Sequence, residues 1–282
     1  MSTVLAAHRV VKELGQGAGK VRALKGVDLS LEAGELTLLM GPSGSGKTTL
    51  LSILGCILAP TEGTVEIAGE NAVGRTPEDL ADLRRRHIGF IFQQYNLFPT
   101  LTAHENVRLA LDVRGDRGSA ASVRAKEALL KVGLGHRLSN YPRNLSGGEQ
   151  QRVAVARAIA SAPSLILADE PTAALDTENG RSVMKLIKEI SADKSRAVLA
   201  VTHDPRTLPF ADRIIHIEDG LIVSDERPRA EPASAKPEQR EAPTPAAPII
   251  VRVDPAAAPA SSTQSISIRQ KRKNRKRRKG HV

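Results

Sequence analysis

Eight consecutive residues, Gly41-Pro42-Ser43-Gly44-Ser45-Gly46-Lys47-Thr48, limit what this 282-residue chain can fold into more than any other stretch. They follow an apolar, β-prone run, Leu36 to Met40, and precede a helical run, Thr49 to Leu54. Glycines at such a junction let the backbone aim successive N–H groups into one concavity. The following helix presents its positive N-terminal end to the same place. The matching ligand is a polyphosphate. The pattern G-x-x-x-x-G-K-[ST] between strand and helix therefore predicts a nucleotide cradle running from Gly41 through Thr49. In it, Lys47 neutralises the β- and γ-phosphates and the Thr48 hydroxyl coordinates Mg²⁺.

Further apolar runs at Ile88 to Phe92, Leu165 to Ala168, Ala197 to Thr202 and Ile214 to Glu218 alternate with helical patterns. That order predicts an α/β domain with a mainly parallel sheet. From about 94 to 161 the pattern is predominantly helical, which predicts a helical insertion into the core. Within it, Ser122 to Val132 places Val123, Leu129, Leu130 and Val132 mainly on one side. The run Leu165 to Glu170 is a buried strand ending in two carboxylates, which at the sheet's C-terminal edge face the phosphate cradle. Asp169 fits the Mg²⁺ shell, and Glu170 fits a general base that polarises the attacking water.

With Leu145-Ser146-Gly147-Gly148-Glu149-Gln150-Gln151-Arg152 the sequence resembles the ATP-binding subunits of ABC transporters. This stretch is similar to the family's LSGGQ signature, with Glu149 where Gln is commoner. A Ser hydroxyl and two glycine amides at a helix start form a second anion site. The resemblance covers residues 10 to 225 and implies a P-loop ATPase core, a helical signature subdomain and a small N-terminal antiparallel β part. It implies that the signature contacts the γ-phosphate of ATP held by the opposite subunit, so that the chain works as a homodimer or beside a second ATPase subunit. Gln93 resembles the glutamine that senses Mg²⁺ and the attacking water. Ala174-Leu175-Asp176 resembles the loop that crosses the dimer interface, and His203 the switch histidine that contacts the γ-phosphate. The family usually carries an aromatic residue, often Tyr, to stack on adenine. Leu14 stands at that place here, so base binding rests on aliphatic contact.

The run GPSGSGKTTLLSILGCILAPTEGTV, the stretch from Leu83 to Gln93 and LILADEPT are similar to the macrolide-export and lipoprotein-release branch of the family. Phe92 to Pro99 also resembles polar amino-acid importers. The exporter branch implies a separate permease, a periplasmic adaptor reached through it, and a peripheral position on the cytoplasmic face of the inner membrane. The groove around Gln93 to Thr102 is then expected to receive a coupling helix of the permease. Regulation of a cell-wall hydrolase is a non-transport alternative with the same ATP site.

Charge bears on partners through one segment only. The net charge is +10, but nine basic residues fall between Arg269 and Lys279, and residues 1 to 225 carry only +1. A nucleic-acid or ribosome partner thus has that run as its sole support, against one ATPase unit and one signature. Residues 226 to 282 hold eight of the seventeen prolines and no aromatic, which predicts a disordered tail with Ile249 to Val253 as its only apolar cluster. Anionic lipid and plain solubility are both open as its role. No apolar run reaches the ~18 to 20 residues of a membrane helix, and the N-terminus lacks a signal-peptide pattern. One cysteine excludes a disulfide framework; Cys56 is read as a core thiol in a helix from Leu50 to Leu58. Arg84-Arg85-Arg86-His87 reads as a solvated helix face. His8, His104 and His136 lack partners at metal-ligand spacing, so no metal beyond Mg²⁺ is assigned.

Overall fold

The computed structural model describes residues 2–228. The predicted tail beyond residue 228, with its basic run 269 to 279 and Ile249 to Val253, lies outside them. Its predicted start at 226 is too early, because Glu226 ends a strand and Arg227 pairs with Glu35. Two sheets organise the described residues. The first is antiparallel, in the order β2-β1-β4-β5, from β1 (Thr3–Leu14), β2 (Val21–Glu32), β4 (Glu62–Ile67) and β5 (Glu70–Asn71). The second has the order β10-β9-β3-β8-β7-β6, from β3 (Leu36–Met40), β6 (Ile88–Ile91), β7 (Leu165–Asp169), β8 (Ala197–Val201), β9 (Arg213–Glu218) and β10 (Leu221–Glu226). Its pairings are parallel except for β10, which returns antiparallel on β9.

Every residue of β3 and β8 is buried, because a parallel strand is covered on both faces and can then be apolar throughout. Alternation decides which core each side chain enters. Val198 and Ala200 of β8 join Leu38 and Ile166 beneath the helices, whereas Leu199 and Val201 join Leu39 and Leu167 beneath the antiparallel sheet. On the helical side lie α3 (Ala103–Arg114), α4 (Gly118–Lys131), α5 (Gly147–Ile159) and α6 (Thr177–Ser191); α1 (Lys47–Leu54) contributes to the other core.

Three readings from periodicity need correction. Val123 and Leu130 are exposed at 54% and 53%, and α4 instead buries Ala121, Ala125, Ala128 and Leu129. The reason is steric: alanines spaced four and three apart let α4 approach its neighbours closely, and Val123 falls outside that stripe. The helix after the cradle stops at Leu54 rather than Leu58, with Gly55 as its cap. Cys56 lies beyond it, still buried, at φ 56. Burial pushes its thiol up to about 11, so it is an inert core group. Arg84 to His87, at the end of α2 (Pro77–His87), are not a free solvated face. Arg86 pairs with Glu70 and Asp82, His87 meets Glu70, and Arg84 donates to the Cys56 carbonyl. Glu70 on the edge of the antiparallel sheet draws in Arg86 and His87, while Arg85, paired with Asp82 on its own helix, stays exposed.

Candidate active site

Strand order assembles the site. Leu39 pairs with Val201, Val201 with Asp169, and Ala168 with Ile91. Gly41, His203, Glu170 and Gln93 lie one or two residues beyond these partners, so all leave the sheet at the C-terminal ends of adjacent strands. A cleft of about 780 Å³ gathers Pro42, Ser43, Gly44, Gly46, Lys47, Thr48 and Thr49 with Gln93, Glu170, His203 and Leu14.

The loop shape requires its glycines. A Cβ on Gly41 would lie 2.1 Å from the Ile217 carbonyl oxygen. One on Gly46, at φ 101, would lie 2.7 Å from that of Ala23. Lys47 Nζ donates to the carbonyl oxygens of Gly41 at 2.8 Å and Pro42 at 2.6 Å, which folds the ammonium into the concavity. Ser45 Oγ is buried without a hydrogen-bond partner among the described residues, 2.9 Å from where a Cβ on Gly41 would sit, and Ser45 itself does not line the cleft.

Glu170 holds a left-handed backbone, φ 46, and its N–H donates to the Val201 carbonyl at 2.9 Å. Its Oε1 lies 2.7 Å from Nδ1 of His203, whose side chain is 70% exposed. Burial, then the neighbouring Glu170 charge, pushes the Asp169 carboxyl up, against the pull of Lys47. Thr48 and Glu170 line the cleft, whereas Asp169, the last residue of β7, does not; the oxygen donors these three side chains offer are of the kind a hard divalent cation takes.

The second group of predicted residues lies elsewhere. None of Leu145 to Glu149 or Ala174 to Asp176 lines the cleft. Leu145 is buried, and Ser146 caps α5. The Ser146 hydroxyl accepts from the Glu149 N–H at 3.3 Å, and Glu149 Oε2 accepts from the Ser146 N–H at 2.8 Å. Gly147 and Gly148 keep first-turn N–H groups that the helix itself cannot satisfy. The Ser146 N–H bond holds the Glu149 carboxyl below its usual range, and Arg137 donates to it at 3.0 Å. Asp176 caps α6, accepting from the Asn179 N–H at 2.9 Å. Ala174 and Leu175 precede that cap.

Sequence reasoning missed several cleft residues: Val21, Arg22, Ala23, Asp219 and Gly220. The Gly-rich turn from Gly15 to Lys20 was the signal, since it closes a hairpin in which Leu14 pairs with Val21. Asn106 was also missed. Fully buried, it accepts from the Phe98 N–H at 2.8 Å and donates to the carbonyls of Phe98, Leu101 and Thr102, fixing the loop after Gln93. No periodic pattern marks a residue of that kind.

The ABC transporter family model matches residues 24–173. The chain belongs to the ABC transporter family. It is one of that family's ATPase cassettes, and its nucleotide is ATP. It is 43% identical over 232 residues to the macrolide export ATP-binding/permease protein MacB of Bradyrhizobium diazoefficiens, covering 82% of this chain and 35% of that protein. It is 46% identical over 211 residues to the MacB protein of a Shewanella species, covering 75% of this chain and 32% of that one. The cassette thus spans about a third of the length of these relatives. Among solved structures, a dimeric post-hydrolysis state of the ATP-binding cassette MJ0796 bound to ADP and Pi matches with TM-score 0.73 and 42% identity. That match covers 80% of this chain and 100% of the other. The α/β core, the helical insertion and the antiparallel N-terminal sheet agree with the fold expected from sequence.

Proposed function

We propose that this cassette is the ATP-hydrolysing subunit of an exporter whose membrane-spanning part is a separate permease. It works as a head-to-tail pair, peripherally on the cytoplasmic face of the inner membrane, and residues 1 to 225 are its ATP-binding domain. The observation that carries the reading is the single cleft holding the phosphate loop, Gln93, Glu170 and His203 together. Lys47 and the loop N–H groups bind the β- and γ-phosphates. Leu14 and Val21 give the base an aliphatic wall. Glu170 takes a proton from the attacking water, and His203, hydrogen-bonded to it, orients the carboxylate and meets the γ-phosphate. Thr48, Asp169 and Gln93 hold Mg²⁺, which when bound neutralises charge developing on the phosphates.

Pairing follows from what the cleft lacks. The Ser146 to Glu149 helix start is an anion site outside this cleft, so a second subunit is needed to lay its own copy over the γ-phosphate. Closure on ATP and opening after hydrolysis form the working stroke. A groove of about 540 Å³, lined by Ile57, Phe98 and Val113, which are exposed, and by Arg84 and Arg85, supports docking of an amphipathic permease helix with an acidic edge. Among the described residues no helix is long and apolar enough to cross a membrane. The MacB names support export and a permease partner; in those relatives the ATP-binding part and the permease belong to one protein, of which this chain matches about a third. The test is to solubilise native membranes gently with ATP present and identify what co-purifies with tagged Glu170→Gln. A multi-pass permease with a large extracytoplasmic domain is the expected result. Ribosomal or DNA-bound proteins without any permease would overturn the exporter reading while leaving the ATP site intact.

A further inference from the structure

Tyr95 and Asn96, just beyond Gln93, both hold left-handed backbones, at φ 58 and φ 48. Two successive non-glycine residues in that region persist only where their surroundings impose it. Two turn hydrogen bonds hold them, from the Tyr95 N–H to the Phe92 carbonyl at 3.2 Å and from the Asn96 N–H to the Gln94 carbonyl at 2.5 Å, and Arg157, on the fourth turn of α5, braces both residues from outside the turn. Its guanidinium donates to the Tyr95 carbonyl at 2.8 Å and the Asn96 carbonyl at 2.5 Å. The Tyr95 ring reaches the other end of the same helix: its hydroxyl lies 3.0 Å from where a Cβ on Gly147 would sit. The loop leaving Gln93 is therefore hydrogen-bonded to the last turn of the signature helix and lies against its first. Its later part is held separately, by Asn106 on α3.

We infer that Arg157 is a positioning residue for hydrolysis: it fixes the loop that presents Gln93 to the cleft and makes that loop move with the signature helix. This rests on the reading of Gln93 as a residue that meets the attacking water. A guanidinium suits the task because its planar fork reaches two successive carbonyls at once, which an ammonium cannot do in fixed geometry. Pressure on the groove formed by Phe98 and Val113, which Arg157 also lines, then reaches Gln93 and Ser146 together.

The test uses the full chain with Arg157→Gln and Arg157→Lys. It measures ATP affinity by calorimetry, kcat by phosphate release, and backbone amide exchange by mass spectrometry. Arg157→Gln is expected to leave ATP Kd within about threefold, lower kcat at least tenfold and speed exchange in residues 93 to 97 at least tenfold, with β3 and β7 unchanged. Arg157→Lys should recover part of kcat. In a Gln93→Ala background, Arg157→Gln should lower kcat no further, because residues acting as a unit are non-additive. Unchanged kcat, additive losses, or faster exchange spread through β7 with an equal loss of ATP affinity would each overturn the inference. If Gln93→Ala alone leaves kcat unchanged, the underlying reading of Gln93 falls, and the positioning role with it. The exchange data still show separately whether Arg157 holds the loop.

Discussion

Replacing Glu170 by Gln separates catalysis from folding more cleanly than any other change at this site. The variant keeps size, shape and a hydrogen-bonding oxygen, so the 2.7 Å contact to His203 survives with the amide in place of the carboxylate. Loss of the carboxylate's charge toward His203 costs little: Glu170 is 16% exposed, but His203 is 70% exposed, so solvent screens the contact and its loss is on the order of 1 kcal/mol. Removing a positioned general base, by contrast, costs about 10² to 10⁴ in rate. At 1.36 kcal/mol per decade that is about 2.7 to 5.4 kcal/mol of barrier, several times the whole stability effect. Phosphate release should therefore fall by at least a hundredfold while the thermal midpoint shifts by only a few degrees and ATP affinity stays within threefold. Size-exclusion chromatography with ATP should show the variant accumulating as a dimer, since binding closes the pair and nothing reopens it. A kcat within threefold of the parent would remove Glu170 as the base. A matching loss of ATP affinity would show instead that the carboxylate binds nucleotide.

Three other outcomes follow from local geometry. Leu14→Tyr restores a ring to the cleft wall, and at about 0.5 to 1.5 kcal/mol for an aromatic contact it should tighten ATP about two- to twelvefold by calorimetry. Its discrimination against nucleotides with smaller bases should also rise. Gly148→Ala places a Cβ 2.5 Å from Asn179 Oδ1, whereas Gly147→Ala meets the Tyr95 hydroxyl at 3.0 Å. Overpacking of about 1 to 3 kcal/mol is expected at Gly148 and less at Gly147, so calorimetric melting should rank the midpoints Gly148→Ala below Gly147→Ala below the parent. The hydrogen bond from Arg86 holds the Glu70 carboxyl down at about 2, from an ordinary 4.5. A depressed carboxylate stabilises the fold fully above its unfolded value and loses that contribution as pH falls through its folded one. Glu70→Gln should lower the urea midpoint at pH 7, and the gap from the parent should shrink as pH falls from about 4.5 towards 2.

Much of this protein was legible before any coordinates because its decisive signals are local. The cradle Gly41 to Thr48 needs only neighbouring residues to turn backbone N–H groups inward, and the apolar runs of the parallel sheet read as buried strands, β3 and β8 most clearly because both their faces are covered, whereas β9 near the edge alternates. Ser146 and Glu149 form a capping box within one helical turn, so the sequence alone placed the start of α5. Tertiary structure decided everything that depends on which distant strands lie side by side. Gln93, Glu170 and His203 share a cleft only because β6, β7, β8 and β3 are adjacent in the sheet, and no period within a segment encodes that order. The face that α4 buries and the partners of Arg86 and Arg157 were settled in the same way. Periodicity fixes which residues can share a face, whereas the neighbour that face meets is chosen by packing the whole chain. Side-chain roles that depend on the neighbour therefore appear only once the chain has folded.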